Sequence, residues 1–215
     1  MTARVDLFEG ERREERLADG AMLLRGFAVE EADELMAAIT DVIARAPLRH
    51  LITTGGRRMS VAMSNCGRVG WVSDRRGYRY DPVDPLGGPA WPPMPGVLAE
   101  IAGRAAEAAG FPGFTPDACL VNRYAPGARL SLHQDRDEQD REAPIVSVSL
   151  GLPATFLWGG ARRGDRPRRL RLLHGDVVVW GGPARFTFHG VAPVADGWHP
   201  LTGQARFNLT FRKVF

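Results

Sequence analysis

The sequence predicts a mainly β protein with flanking helices, an α+β chain whose second half is a sandwich or jelly roll. Three observations predict it. After Thr115, short alternating runs follow one another, separated by glycine and proline. Before that point only two stretches carry helical spacing. The 215 residues are 44% hydrophobic and 25% charged, an ordinary globular composition that excludes a disordered tail or a collagen-like fibre.

The elements follow in order. Glu9 to Arg16 is highly charged and reads as an irregular segment. Leu35, Ile39, Val42 and Ile43 recur at helical spacing, so a helix is expected over Glu30 to Arg45, ended by Pro47. Residues 51–80 read as short strands and turns. Met59, Val61 and Met63 alternate as one strand face, and Asp74 to Gly77 marks a turn before Tyr78-Arg79-Tyr80. Residues 81–96 are rich in proline and glycine and read as loop. A second helix is expected from Val97 to Ala109, capped by Gly110. Strands are then expected at Ala118–Tyr124, Ala128–Leu132, Pro144–Leu150, Thr155–Trp158, Arg169–Leu173, Asp176–Trp180, Arg185–Phe188 and Gln204–Arg212. Many short strands at this spacing fit a sandwich or jelly roll. A mixed layer over residues 1–115 and a β core over 116–215 form one compact unit.

Charge and cysteine usage narrow the class. Cys66 and Cys119 lie far apart and in no CxxC pair, which argues against a zinc module or a disulfide scaffold. No apolar run approaches the ~20 residues of a membrane span. Met1 to Arg16 has no signal-peptide core. A soluble, cytoplasmic protein is expected, with no membrane partner and no oligomer signal, hence a monomer. The net charge is +3, and Lys213 is the only lysine. Arg162, Arg163, Arg166, Arg168, Arg169 and Arg171 crowd together against one acid, Asp165. The run reads either as a solvated loop or as a contact for a polyanion.

The chemistry-bearing residues are few. In His133-Gln134-Asp135, residues two apart on a strand share a face, so imidazole and carboxylate converge. The alternative is an exposed pair, since Arg136 to Arg141 are all polar. His174-Gly175-Asp176 has the same pattern, but its glycine favours a turn entering the strand Val177 to Trp180. His189 ends a β-like run. With His133 and Asp135 it makes two histidines and one carboxylate, which leaves three octahedral positions open on iron. His50 and His199 have no evident role. In the last strand Phe207, Leu209 and Phe211 alternate with Arg206, Asn208, Thr210 and Arg212. The polar set faces either solvent or the jelly-roll interior, where two arginines need an anion such as a dicarboxylate. Asn122 and Tyr124 form a second polar pair on one strand face.

The segments Asn122 to Gly127, Leu132 to Asp135, His189-Gly190 and Arg206 to Arg212 resemble the AlkB family, with support from Met59 to Met63, Gly67 to Trp71 and Pro144 to Pro153. The likeness runs over nearly the whole chain. It implies a double-stranded β-helix, or jelly roll, under an N-terminal nucleotide-recognition lid. It implies an iron(II)- and 2-oxoglutarate-dependent dioxygenase that uses dioxygen to demethylate N-alkylated bases, 1-methyladenine and 3-methylcytosine, in DNA, single-stranded by preference, with RNA as a further substrate. By the resemblance, His133, Asp135 and His189 match the catalytic iron ligands. Arg206 and Arg212 match the residues gripping 2-oxoglutarate, helped by Asn122, Tyr124 and Asn208, with Arg212 expected on the far carboxylate. Trp71 matches the aromatic that stacks on a flipped base, with His133 on its other side. Tyr78, Arg79 and Tyr80 align with a substrate-contacting stretch. Asp137 matches the acid that reads the exocyclic amine, and Arg163 a substrate-contacting arginine. The chain departs from the family before Leu17 and in its basic lid positions Arg57 and Arg58. Two other readings stand beside this one: an oxygenase of a protein or small-molecule substrate, and a non-catalytic binding module, against which the paired arginines argue.

Overall fold

A computed structural model describes residues 13–215. The chain begins with β1 (Arg13–Ala18) and β2 (Ala21–Arg25), followed by α1 (Ala32–Arg45). Next come β3 (Ala62–Gly67), β4 (Gly70–Asp74), β5 (Gly77–Asp81) and α2 (Gly96–Ala108). The second half is β6 (Ala118–Tyr124), β7 (Leu130–His133), β8 (Ile145–Gly151), β9 (Ala154–Trp158), β10 (Arg168–Leu172), β11 (Val177–Trp180), β12 (His189–Val191) and β13 (Arg206–Arg212).

These strands form a seven-stranded sheet in the order β1-β2-β11-β8-β13-β6-β3, a four-stranded sheet β10-β9-β12-β7, and the separate hairpin β4-β5. Two cores lie on the two faces of the large sheet. One face packs on the helices through Leu35, Ile39, Leu98, Ile101, Val146, Val148, Leu209 and Phe211. The other faces the small sheet through Leu23, Ile145, Phe156, Trp158, Val178 and Trp180. Helix α1 presents Leu35, Ile39 and Val42 as its buried stripe, with Asp33 and Glu34 in its first turn, where carboxylates suit the helix dipole. Helix α2 ends as expected at Gly110, where Phe111 N–H closes on Ala106 O (2.8 Å).

Three expectations are corrected. The segment read as irregular contains β1 from Arg13 onward, and the rest of it lies outside the described residues. The strand pairs with β2, and β2 pairs with β11, so this hairpin extends the main sheet. Arg185 to Phe188 is not a strand. A 3-10 turn at Gly182–Ala184 precedes it, and the strand begins at His189. The reason lies in Arg185, whose buried guanidinium is bound on three sides and cannot stand in a half-exposed alternation. Met59 and Val61 precede β3 rather than lie in it, although both pack with Met63 against the second core as one face would.

Strand β13 runs down the middle of the large sheet, between β8 and β6, and all seven of its residues are buried. Its two faces therefore have different jobs. Phe207, Leu209 and Phe211 enter the helix-side core. Arg206, Asn208, Thr210 and Arg212 point between the sheets, not into solvent. Asn122 and Tyr124 of β6 join them on that face, in register with Asn208 and Arg206. Ser147 and Ser149 of β8 join from the other side.

Candidate active site

A cavity of about 930 Å³ opens between the sheets and under the β4-β5 hairpin. Its inner end holds His133, Asp135 and His189, whose ligating atoms lie within 4.8 Å of one another. His133 and His189 sit opposite each other on paired strands β7 and β12. Their rings stand 4.4 Å apart. Gly190 is required beside them: a Cβ there would lie 2.7 Å from Leu130 O. Asp135 lies just past the end of β7, so strand periodicity does not place it. Arg212 does, through Nε and Nη2 to Oδ2 (3.2 and 2.9 Å), while Arg185 Nη1 holds the Asp135 carbonyl (2.9 Å).

The protonation of this trio suits a divalent metal. His133 Nδ1 meets Ser131 O (2.9 Å) and His189 Nδ1 meets Thr187 O (3.0 Å). A carbonyl only accepts, so both rings carry a proton on Nδ1 and turn Nε2 inward. Those Nε2 atoms lie 3.7 and 3.9 Å from the Asp135 oxygens. Burial first, then His133, pushes the pKa of His189 down to about 4, so the ring is neutral at pH 7. Burial opposes charge on Asp135, yet Arg212, then His189 and His133, hold its carboxyl well below the usual carboxylate range. Two imidazoles and one carboxylate on one side of an open cavity match the donor set a non-haem iron(II) site uses.

The two arginines of β13 differ. Arg212 is committed, to Asp135 and to Glu138 Oε1 (3.2 Å). Arg206 is not. Its Nη2 reaches Ser149 Oγ (3.0 Å) and its guanidinium lies over the Tyr124 ring at 4.9 Å, but its Nε and Nη1 are buried with no partner. Burial lowers its pKa below that of an ordinary arginine. An uncompensated buried cation beside the candidate metal donors can receive an anion. Asn122 Nδ2 donates to Asn208 Oδ1 (3.2 Å), and Asn208 Nδ2 donates to Ser147 Oγ (2.8 Å), which fixes the wall around it. The free cation is thus Arg206, whereas the sequence reading gave the far carboxylate to Arg212.

The outer end of the cavity belongs to the hairpin. Trp71 of β4 lines it, donates from Nε1 to Asp137 Oδ2 (2.7 Å), and stacks on Tyr78 at 5.6 Å and 10°. Arg163, Arg57, Arg58 and Arg129 stand around the mouth. Two of the residues expected to touch substrate do not line the cavity. Arg79 lies on the opposite face of the hairpin and pairs with Asp74 (3.0 Å) and Asp81 (3.5 Å). Tyr80 shares the Trp71 face, but its hydroxyl is sunk onto Glu138 Oε1 (2.6 Å). His174-Gly175-Asp176 is the expected turn. Gly175 has φ +79°, Asp176 pairs with Arg25 (2.8 Å), and His174 lies against His199 at 4.5 Å. His50 Nδ1 is spent on Met59 O.

Glu138 and Arg185 escaped the sequence reading. Glu138 sits in a run of polar residues that reads as exposed, yet it is buried and binds Tyr80, Arg185 and Arg212. Nothing in the spacing marks it out, because its three partners come from distant segments.

The comparisons agree with this geometry. The profile of the 2OG-Fe(II) oxygenase superfamily matches residues 20–212. The chain belongs to this superfamily, in its AlkB group. It is 56% identical over 211 residues to the alpha-ketoglutarate-dependent dioxygenase AlkB of Escherichia coli (strain K12), covering 98% of both chains. It is 37% identical over 164 residues to the tRNA demethylase abh1 of Schizosaccharomyces pombe, 68% of this chain and 53% of that one. The solved structure of OsALKBH1 superposes with TM-score 0.82 and 29% identity over 94% of this chain and all of the other. This AlkB-type protein is therefore an iron(II)- and 2-oxoglutarate-dependent dioxygenase with a jelly-roll core, and dioxygen is its oxidising co-substrate. No helix among the described residues is long and apolar enough to cross a membrane.

Proposed function

We propose that the protein is an oxidative demethylase of N-alkylated bases, 1-methyladenine and 3-methylcytosine, in nucleic acid, with single-stranded DNA preferred and RNA a second substrate. One observation carries the reading: a single cavity holds the metal donors at its inner end and, at its outer end, a flat aromatic bonded to a carboxylate, Trp71 to Asp137. That outer pair offers a base both a stacking surface and an acceptor for an exocyclic amine.

His133, Asp135 and His189 would hold iron(II). Arg206 would take the far carboxylate of 2-oxoglutarate, with Asn122, Tyr124 and Asn208 shaping the wall. Arg212 keeps Asp135 ionised and aimed. When bound, iron with 2-oxoglutarate and dioxygen supplies the oxidant that hydroxylates a methyl group on a ring nitrogen, yielding succinate, carbon dioxide and, as the hydroxymethyl group departs, formaldehyde. The chain's own part is positioning and exclusion of water. A base inside a duplex cannot reach the cavity, so it enters flipped or from a single strand, and a methylated, poorly paired base unstacks at less cost. Trp71 holds it by stacking, worth about 1–3 kcal/mol. Asp137, already anchored by the indole, accepts from the exocyclic amine. Arg163 at the mouth contacts the adjoining backbone, and Arg57 and Arg58 extend that contact. Within the N-terminal part of the chain, the β4-β5 hairpin serves as the lid over the core of 116–215, while β1, β2 and β3 extend the main sheet. A monomer suffices, because one chain supplies every group named. Both cysteines are free and buried, which suits a reducing, cytoplasmic setting.

The test is an anaerobic load of iron(II) and 2-oxoglutarate, then air, with an oligonucleotide bearing 1-methyladenine. Mass spectrometry follows the methyl group and the same tube is assayed for succinate. Demethylation with matched succinate is expected. Succinate without demethylation would move the substrate to a protein or small molecule.

A further inference from the structure

The arginine run of the β9-β10 hairpin has no part in the site above beyond Arg163. That residue fixes the hairpin to the cavity: its Nη1 donates to Leu132 O (2.7 Å), its guanidinium lies over Phe188 at 5.2 Å, and it lines the mouth. The positive charge continues away from that point. On β10, Leu170 and Leu172 are buried, so Arg169 and Arg171 stand on the outer face, exposed. The one acid of the run, Asp165, accepts from the Arg162 backbone N–H (3.0 Å) and so caps a turn. Arg168 donates to Leu17 O (3.0 Å). Among the described residues no carboxylate pairs with Arg162, Arg166, Arg169 or Arg171.

Register places the row on the outer face of the small sheet, behind the cavity wall. Arg169 lies opposite Leu157, and Leu157 opposite Gly190, which lines the cavity. Two strand spacings put Arg169 about 10 Å from Gly190, and Arg171 follows about 7 Å further along β10. Exposed guanidiniums of one sign in a row make a positive strip that a linear polyanion can follow. A point anion would satisfy only one.

We propose that Arg166, Arg169 and Arg171 bind the phosphodiester backbone of the substrate strand several nucleotides away from the flipped base, so that affinity grows with strand length. The proposal rests on the nucleic-acid reading above. It makes the hairpin a tether that leaves the chemical step untouched.

The test compares a pentamer and a 15-mer, each with one central 1-methyladenine, on the loaded enzyme and on a triple variant, Arg166→Gln, Arg169→Gln and Arg171→Gln. The expected result is unchanged kcat and KM on the pentamer. On the 15-mer, KM rises about tenfold at moderate salt. The slope of log affinity against log salt falls by about two, near 0.7 per lost phosphate contact on a single strand. Binding is read by fluorescence anisotropy as well as turnover. The triple arginine-to-lysine variant keeps the point charges and is expected to keep the slope, which guards against a folding defect. Equal effects at both lengths, or none at either, overturn the tether. So does polyglutamate competing as well as the 15-mer, which would assign the surface to an acidic protein. Succinate formation by the unaltered enzyme with no affinity for either oligonucleotide would instead sink the nucleic-acid reading beneath it.

Discussion

The two ends of β13 carry the same side chain on the same face of one strand, and they are opposites. At the Arg212 end the guanidinium meets two carboxylates, Asp135 and Glu138, and Glu138 in turn gathers Arg185 and Tyr80. At the Arg206 end, Nε and Nη1 have nothing. A buried charge with its partners in place is scaffold, and a buried charge without them is a binding site. Residue type and strand parity find the pair, but only the count of partners assigns the roles.

The largest effect breaks the Arg212 end at the metal. Asp135→Ala removes a ligand, and iron binding and succinate formation are expected to vanish while circular dichroism keeps its β signature. Iron-dependent turnover in that variant would show that the trio is not the ligand set. Next comes the comparison itself. Arg212→Met strands Asp135 without its cation and leaves Glu138 with the Arg185 cation, and about 3–5 kcal/mol of stability is expected to be lost in denaturant titration. Arg206→Met removes a cation that has no counterion. Its Tm without 2-oxoglutarate is expected to hold or rise, while KM for 2-oxoglutarate climbs about a hundredfold. Equal destabilisation by the two variants would erase the distinction.

The pH response sharpens it further. His189 has its folded pKa near 4, below the ordinary 6.5, so the unfolded chain binds more protons between those values. Stability of the metal-free protein is therefore present above pH 6.5 and lost as pH falls toward 4, by about 3 kcal/mol. Asp135 stays ionised across that window, since its pKa is depressed too, and adds loss only at lower pH. His189→Gln is expected to flatten the slope. The smallest effect is at the rim. Trp71→Ala is expected to weaken the methylated oligonucleotide by about 1–3 kcal/mol in KM and to spare substrate-free succinate formation.

Much of the fold was legible because its signals are local. The helices announced themselves by spacing and caps, and β6 by its alternation, to the residue. The strand β1 did not, because its charged edge resembles a solvated segment until β2 pairs with it. Arg185 to Phe188 read as a strand because periodicity cannot report that a guanidinium is consumed by Ala143 O, Asp135 O and Glu138. In the site, His133, Asp135 and His189 were nameable from the order of motifs. Arg79 and Tyr80 were placed at the substrate by alignment of a stretch, whereas hairpin parity turns one away and Glu138 captures the other.

The β core, the helices, the candidate metal donors and the family are written in residue types at short or characteristic spacing. Which face of β13 is dry, which arginine is free and where Glu138 goes are set by packing. Those depend on partners from distant segments, and burial turns each such partnership, or its absence, into the dominant electrostatic fact of the site.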